Sequence, residues 1–309
     1  MVTGLTSRNE TARPADLAPL PFVKMHGLGN DFVLLDRRAS QDARALPAAL
    51  PAALPAALVR RLGDRRSGVG FDQLIVLDAP DPAFSQEQGD ARVTFYNTDS
   101  SEAGACGNGS RCLADWLMRD LGRDRVSFRT RAGLLGAVRA ADGEVSVDMG
   151  APGLDWAQVP LAQAVDTGAV GVGIAGLPAG IAASMGNPHI VFLVDDADAV
   201  PIETWGPQIE HHPLFPQRTN VEFTSPLPDG RWRMRVWERG VGVTRACGSG
   251  ACASAVALHR AGQVNGPVDL LLDGGRLSID WTAAGTVTLK GPVATVFHGT
   301  LTPAWLNDD

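Results

Sequence analysis

Two short turns in this sequence echo one another, and the echo limits the folds open to it. ACGNGSRC, Ala105 to Cys112, returns as ACGSGAC, Ala246 to Cys252. The chain's four cysteines, Cys106, Cys112, Cys247 and Cys252, all lie in these copies. Cys106 and Cys247 are 141 residues apart, and so are Asn97 and Glu238, each at the end of a strand-like run. Earlier, GLGNDFVLLD resembles SMGNPHIVFLVDD, with Asn30 and Asn187 157 residues apart. The spacing differs by an insertion, for which the repeat LPAALPAALPAAL, Leu46 to Leu58, accounts. A duplicated chain of 309 residues reads as one unit built twice. We therefore expect a loose arm over 1–20, a first half over 21–150 and a second over 151–309.

Most of the chain is strand-like runs broken by Gly and Pro. DFVLLD, DQLIVLD, RVTFYN and EVSVDM fit strands in the first half; HIVFLVDD, WRMRVWE, RLSIDW and TVTLKG fit strands in the second, with a hairpin at Asp273–Gly275. Helices begin at both cysteine turns. Over 108–121, Cys112, Leu113, Trp116, Leu117 and Leu121 share a face, and Gly122 is a stop. Over 249–261 the sequence is apolar nearly all round and stops at Gly262, which is the mark of a buried helix. A buried helix among many strands implies a sheet wrapped around it. A third helix starts at Pro55 as its first residue and runs to Leu62 before Gly63.

Composition excludes several functions. The net charge of −7 argues against nucleic acid or an anionic membrane surface as partner. No apolar run reaches the length of a membrane span, and the N-terminus lacks the apolar stretch of a secretory signal. These features predict a cytoplasmic protein whose thiols stay reduced. Of 27 basic residues only Lys24 and Lys290 are lysine; neither is excluded as a Schiff-base lysine, but no phosphate-cradling loop adjoins either, and neither a Walker-type lysine nor a GxGxxG after a strand is present.

A cysteine at a helix N-terminus is expected to have a lowered pKa, and the N–H groups there bind carboxylates. Glycines 107, 109, 248 and 250 let the backbone approach a ligand. Two such turns facing across a pseudo-two-fold axis would hold a small acid between two thiols. One thiolate would remove the α-proton and the opposite thiol would return one to the other face, while amides stabilise the enediolate. Cys112 and Cys252, inside the helices, read as core. A metal site fits poorly, because the cysteine spacings are six and five residues rather than CxxC. His189, in GNPH opposite Asp31 of GND, is a further site candidate.

The motifs MHGLGNDF, GVGFDQ, YNTDSSEAGACGNGSRC, GNPH, TNVEF and WERGVGVTRACGSGACA together resemble the diaminopimelate epimerase family, from about Phe22 to Thr302. The resemblance implies two similar α+β domains, each a curved, mostly antiparallel sheet around a central helix, with the site in the cleft between them. It implies epimerisation of LL-2,6-diaminopimelate to the meso form for lysine and peptidoglycan synthesis, with a small molecule as partner and neither cofactor nor metal. It implies that Cys106 and Cys247 are the acid/base thiols, with His189 and Glu238 tuning them and the reacting amine. Gly107 with Asn108, and Gly248 with Ser249, are implied to cradle the carboxylate. Asn30, Gln73, Asn97, Asn187, Asn220, Glu238 and Arg239 are implied substrate contacts. Val243-Thr244, Arg245 and Phe71 depart from the family pattern. A homodimer stays open. So do two rival readings, a proline or hydroxyproline racemase-like enzyme and a non-catalytic thiol sensor.

Overall fold

A computed structural model describes residues 19–38, 53–80, 89–104, 106–281 and 285–306. The expected arm up to residue 18 and the Ala-Pro repeat up to residue 52 lie outside them. Leu20, expected at the end of the arm, is instead 1% exposed and opens the first strand.

The first half begins with an antiparallel pair, β1 (Leu20–Gly27) and β2 (Asn30–Asp36). Helix α1 (Ala56–Gly63) follows; Pro55 caps it rather than opening it, and Gly63 belongs to its last turn. Strand β3 (Gln73–Asp78) runs parallel to β2, and β4 (Ala91–Asn97) antiparallel to β3. The two-residue β5 (Glu102–Ala103) turns back on β4 and leads into helix α2 (Gly107–Leu121). Strand β6 (Arg125–Thr130) then pairs parallel with β4. Antiparallel β7 (Gly133–Arg139) and β8 (Val145–Asp148) complete the half.

The second half repeats this wiring strand for strand. Antiparallel β9 (Ile181–Ser184) and β10 (Pro188–Leu193) come first. Helix α3 (Ile202–Glu210) precedes β11 (Asn220–Pro226), which is parallel to β10. Then come β12 (Trp232–Glu238), antiparallel to β11, the short β13 (Gly242–Val243) and helix α4 (Gly248–Arg260). Strand β14 (Val268–Leu272) is parallel to β12; β15 (Gly275–Trp281) and β16 (Val287–Gly291) follow antiparallel. The halves join where β16 pairs with β8. The last strand, β17 (Ala294–Leu301), pairs with β1, so it joins the sheet of the first half although its sequence lies in the second. A short helix, α5 (Pro303–Leu306), ends the described chain.

Each central helix is sheathed by its own sheet. α2 lies against β1, β2, β3, β6, β7 and β8, and α4 against β9, β10, β11, β12, β15 and β16. From Gly250 to Leu258 every residue of α4 is buried, as its lack of a polar face requires. On α2, Cys112, Leu113 and Leu117 are buried, but Leu121 is 41% exposed, because the helix leaves the sheet at its last turn. Gly122 ends that helix in the left-handed region, φ 63°, a conformation that costs glycine little. Among the described residues no helix is long and apolar enough to cross a membrane.

Candidate active site

The duplicated wiring sets two cysteines at matching positions. Cys106 is the N-cap of α2 and Cys247 the N-cap of α4, both in extended backbone. Each sulphur accepts from the backbone N–H three residues on: Gly109 N to Cys106 Sγ and Gly250 N to Cys247 Sγ, each 3.4 Å. A sulphur thus takes the place usually held by a Ser or Asp oxygen at an N-cap. The two turns touch at their glycines: a Cβ added to Gly107 would lie 3.2 Å from Gly248 Cα, and one on Gly248 3.0 Å from Gly107 Cα. Only glycine on both sides permits this contact. The first-turn N–H groups of both helices therefore converge on one place. Cys112 and Cys252 are fully buried in the cores, as expected.

The charge of the thiols departs from the sequence expectation. Burial pushes the Cys106 thiol up to about 12 and raises the Cys247 thiol well above its ordinary value. The helix amides act in the expected direction but are outweighed by lost hydration. The Glu238 carboxyl opposes ionisation of both sulphurs, and that of Glu222 adds to this at Cys247. Glu238 is itself raised, first by burial, with hydrogen bonds from Thr244 and Cys247 opposing.

In the first half a polar chain runs from the surface inward. Arg65 bridges Asp31 and Asp72 at 2.7 and 2.8 Å, and Lys24 also pairs with Asp31. Burial would raise Asp31, but the bonds from Arg65 and Lys24 hold its carboxyl well below the usual range. Asp72 accepts from Asn30 Nδ2 at 2.7 Å, and Asn30 Oδ1 accepts from Asn108 Nδ2 at 3.2 Å. Asn108 also donates to Ala246 O of the other turn, which ties the halves together. Gln73 Nε2 donates to Asn97 Oδ1 at 2.8 Å, while Gln73 Oε1 is buried with no donor among the described residues.

In the second half the chain starts in the core. His189 Nδ1 meets Glu222 Oε1 at 2.7 Å, both side chains fully buried. His189 Nε2 faces Asn187 Oδ1 at 2.9 Å, Asn187 Nδ2 donates to Ser249 Oγ at 3.4 Å, and Ser249 Oγ lies 3.6 Å from Cys247 Sγ. Asn220 Oδ1 accepts from Arg239 N at 2.9 Å, and the Arg239 side chain donates to Gln217 O. Glu210 on α3 secures this turn by accepting from Trp237 Nε1 and Gly240 N.

Hydrogen bonds thus link Asn30 and Asn108 to the second turn, and His189, Asn187 and Ser249 to Cys247, while Gln73 with Asn97 and Asn220 with the exposed Arg239 form separate pairs. The register pairs His189 with Asn220 as it pairs Phe32 with Gln73, so the counterpart of His189 is Phe32, not Asp31. Sequence reasoning missed Glu222, Asp72 and Thr244. The signal for Glu222 was a lone charge inside the apolar strand NVEFTS, where a buried carboxyl needs a partner. Both lysines are engaged, Lys24 by Asp31 and Lys290 by Asp142. Among the described residues no three His, Cys, Asp or Glu side chains form a metal-ligand cluster.

Solved structures share this fold at low identity. A PhzF-family phenazine biosynthesis protein from Bacillus anthracis matches with TM-score 0.61 and 14% identity over 92% of this chain and 99% of its own. A hydroxyproline epimerase from Agrobacterium vitis matches with TM-score 0.60 and 18% identity over 92% of each chain. These show the fold. The family model for diaminopimelate epimerase matches residues 22–154 and 181–296. A diaminopimelate epimerase of Rhodospirillum centenum is 48% identical over 92% of this chain and 93% of its own, and one of Acidiphilium cryptum 45% over 94% and 99%. With its paired N-cap cysteines and a match along both halves, the chain belongs to the diaminopimelate epimerase family.

Proposed function

We propose that this protein epimerises LL-2,6-diaminopimelate to the meso form by proton transfer between two thiols, serving lysine and peptidoglycan synthesis in the cytoplasm. The observation that carries this reading is the pair of N-cap cysteines whose turns meet at Gly107 and Gly248.

The substrate's reacting carboxylate sits where the N–H groups of Gly107, Asn108, Gly248 and Ser249 converge. Its ammonium brings positive charge toward Glu238 and the sulphurs, which favours a thiolate that burial otherwise disfavours. That thiolate takes the α-proton and becomes a thiol, and the electron pair left on carbon spreads into the carboxylate as an enediolate. The converging N–H groups stabilise that added charge. The opposite thiol delivers its proton to the other face and becomes the thiolate, so the centre is inverted. Forward and reverse reactions exchange the roles of Cys106 and Cys247, which is why a duplicated backbone suits the chemistry.

The distal amino acid is held by Asn30, Gln73, Asn97, Asn187, Asn220 and Arg239. Gln73 Oε1 offers an unused acceptor for an ammonium, and Arg239 offers a planar fork for a carboxylate. His189 and Glu238 tune the second thiol. The test is α-hydrogen exchange from LL-diaminopimelate in heavy water, with proline as control. Exchange with inversion of diaminopimelate and none of proline is expected; exchange of proline alone would replace this reading with a proline racemase-like one.

A further inference from the structure

Arg111 is fully buried on α2, near the place where α2 meets α4. Its Nη2 donates to Asn108 Oδ1 at 2.9 Å. Its Nε and Nη1 are buried and have no acceptor among the described residues. Backbone walls it in: a Cβ on Gly27 of β1 would stand 3.1 Å from Nη2, and one on Gly291 of β16 3.5 Å from Nε. Burying a guanidinium with so few acceptors is costly, and an apolar side chain of similar length would fill the space at less cost. Packing therefore gives no reason for an arginine here.

The surroundings give one. The single acceptor, Asn108, is the residue that reaches Asn30 on one side and Ala246 O of the opposite cysteine turn on the other. With Oδ1 turned to Arg111, the Asn108 amide can present only Nδ2 to those two acceptors. The groups facing the guanidinium are the thiols of Cys106 and Cys112 on its own helix, Cys252 on α4, and Glu144 between β7 and β8. Cys106 also faces Glu238 from β12. The charged groups that bear most on Cys247 are instead two carboxyls, Glu238 and Glu222.

We propose that Arg111 is a positioning residue for the epimerisation: it clamps the Asn108 amide that joins the two cysteine turns, and it supplies the fixed positive charge beside which the Cys106 sulphur becomes a thiolate. The inference rests on the two-thiol reading above, and wild-type α-hydrogen exchange tests that reading separately.

The experiment compares wild type, Arg111→Met and Arg111→Lys in the full-length enzyme. It measures kcat and KM for diaminopimelate and the pH dependence of iodoacetamide alkylation, with peptide mapping to separate Cys106 from Cys247. In Arg111→Met, kcat should fall ~100-fold with a much smaller change in KM. The alkylation midpoint of Cys106 should rise by about one pH unit or more while that of Cys247 stays in place, because loss of a nearby cation disfavours the thiolate. Arg111→Lys should keep the Cys106 midpoint but lose about tenfold in kcat, since an ammonium cannot reproduce the fork. Equal movement of both midpoints, or unchanged kcat with only a lower melting temperature, would overturn the proposal. If Arg111→Met does not fold, Gly27→Ala decides: it crowds Nη2 without removing charge, and unchanged kcat in that variant overturns the clamp.

Discussion

The two halves share a backbone and differ in what lines it. Behind the Cys106 turn, a Cβ on Gly109 would meet Phe95, Phe32 and Ile75, all apolar. Behind the Cys247 turn, a Cβ on Gly250 would meet Glu222 Oε1, Met234 and the Cys247 sulphur itself. The strand register makes His189 the counterpart of Phe32 and Glu222 the counterpart of Ile75. One thiol thus backs onto an oily wall, with Arg111 the cation nearby, and the other onto a buried His–Glu pair. Duplication supplies two N-cap sulphurs, which in the proposed reaction address opposite faces of one carbon. Divergence of the lining then lets the two ionise on different terms.

The largest effect should come from the thiols themselves. Cys106→Ala and Cys247→Ala should each lower epimerisation at least ~1000-fold, because inversion needs both a base and an acid. Each mutant should retain exchange of the α-hydrogen with one epimer only, and the two should prefer opposite epimers. Near wild-type inversion by either mutant would end the symmetric half of the comparison.

The asymmetric half is tested by making the second lining resemble the first. Glu222→Ile alone should cost about 3 kcal/mol of stability, because it strands His189 in the core. Adding His189→Phe should recover most of that, since an apolar pair at a buried site is often as stable as an ionic one. Activity should not recover, and the double mutant should remain ~100-fold below wild type. Urea unfolding and initial rates on all three proteins measure both quantities. Recovered activity would make the His–Glu pair a packing detail.

How far the sequence disclosed this pattern follows physical lines. Helices α2 and α4 are legible because a cysteine turn starts each, a glycine stops each, and apolar residues line one face of α2 and nearly the whole circumference of α4. The strand β12 is legible because WRMRVWE alternates. The strand β9 has four residues and owes its form to β10. The helix α3 contains Pro207, which local propensity counts against it. The pairing of β16 with β8 is a long-range contact that no local pattern encodes. At the candidate site, residue types and turn positions make the two cysteine turns legible, whereas the substrate contacts are implied only by the family resemblance. The direction of the thiol pKa was misjudged because it depends on burial, which belongs to the assembled fold rather than to the helix terminus.

A smaller effect should come from the rim. Arg239→Lys keeps a charge and loses the planar fork, so kcat/KM for diaminopimelate should drop roughly tenfold with no gain toward proline. Unchanged kinetics would place Arg239 outside the site and leave the distal amino acid to the amides.

A last effect, on alkaline stability rather than on rate, concerns the two thiols that do no chemistry. Burial raises Cys112 and Cys252 above the usual thiol value. Their contribution to stability is therefore fully present below the unfolded-state thiol pKa and is lost as pH rises from there toward the folded value. Melting temperature should fall between about pH 9 and pH 11, and more gently in Cys112→Ala/Cys252→Ala. An equal fall in that variant would assign the alkaline loss to other groups.

The return of β17 to β1 has a consequence for how the protein is made. The strand that covers one edge of β1 is synthesised nearly 270 residues after the strand it completes. A nascent chain can wrap its first sheet around α2, but one edge stays open until the C-terminal strand emerges, so the halves do not mature strictly in order of synthesis. Chains that stop short of residue 294 would carry that open edge, with its unpaired N–H and C=O groups ready to join a neighbour. Completion of the first half by a strand that follows the second thus makes premature termination a route to aggregation rather than to a smaller working enzyme.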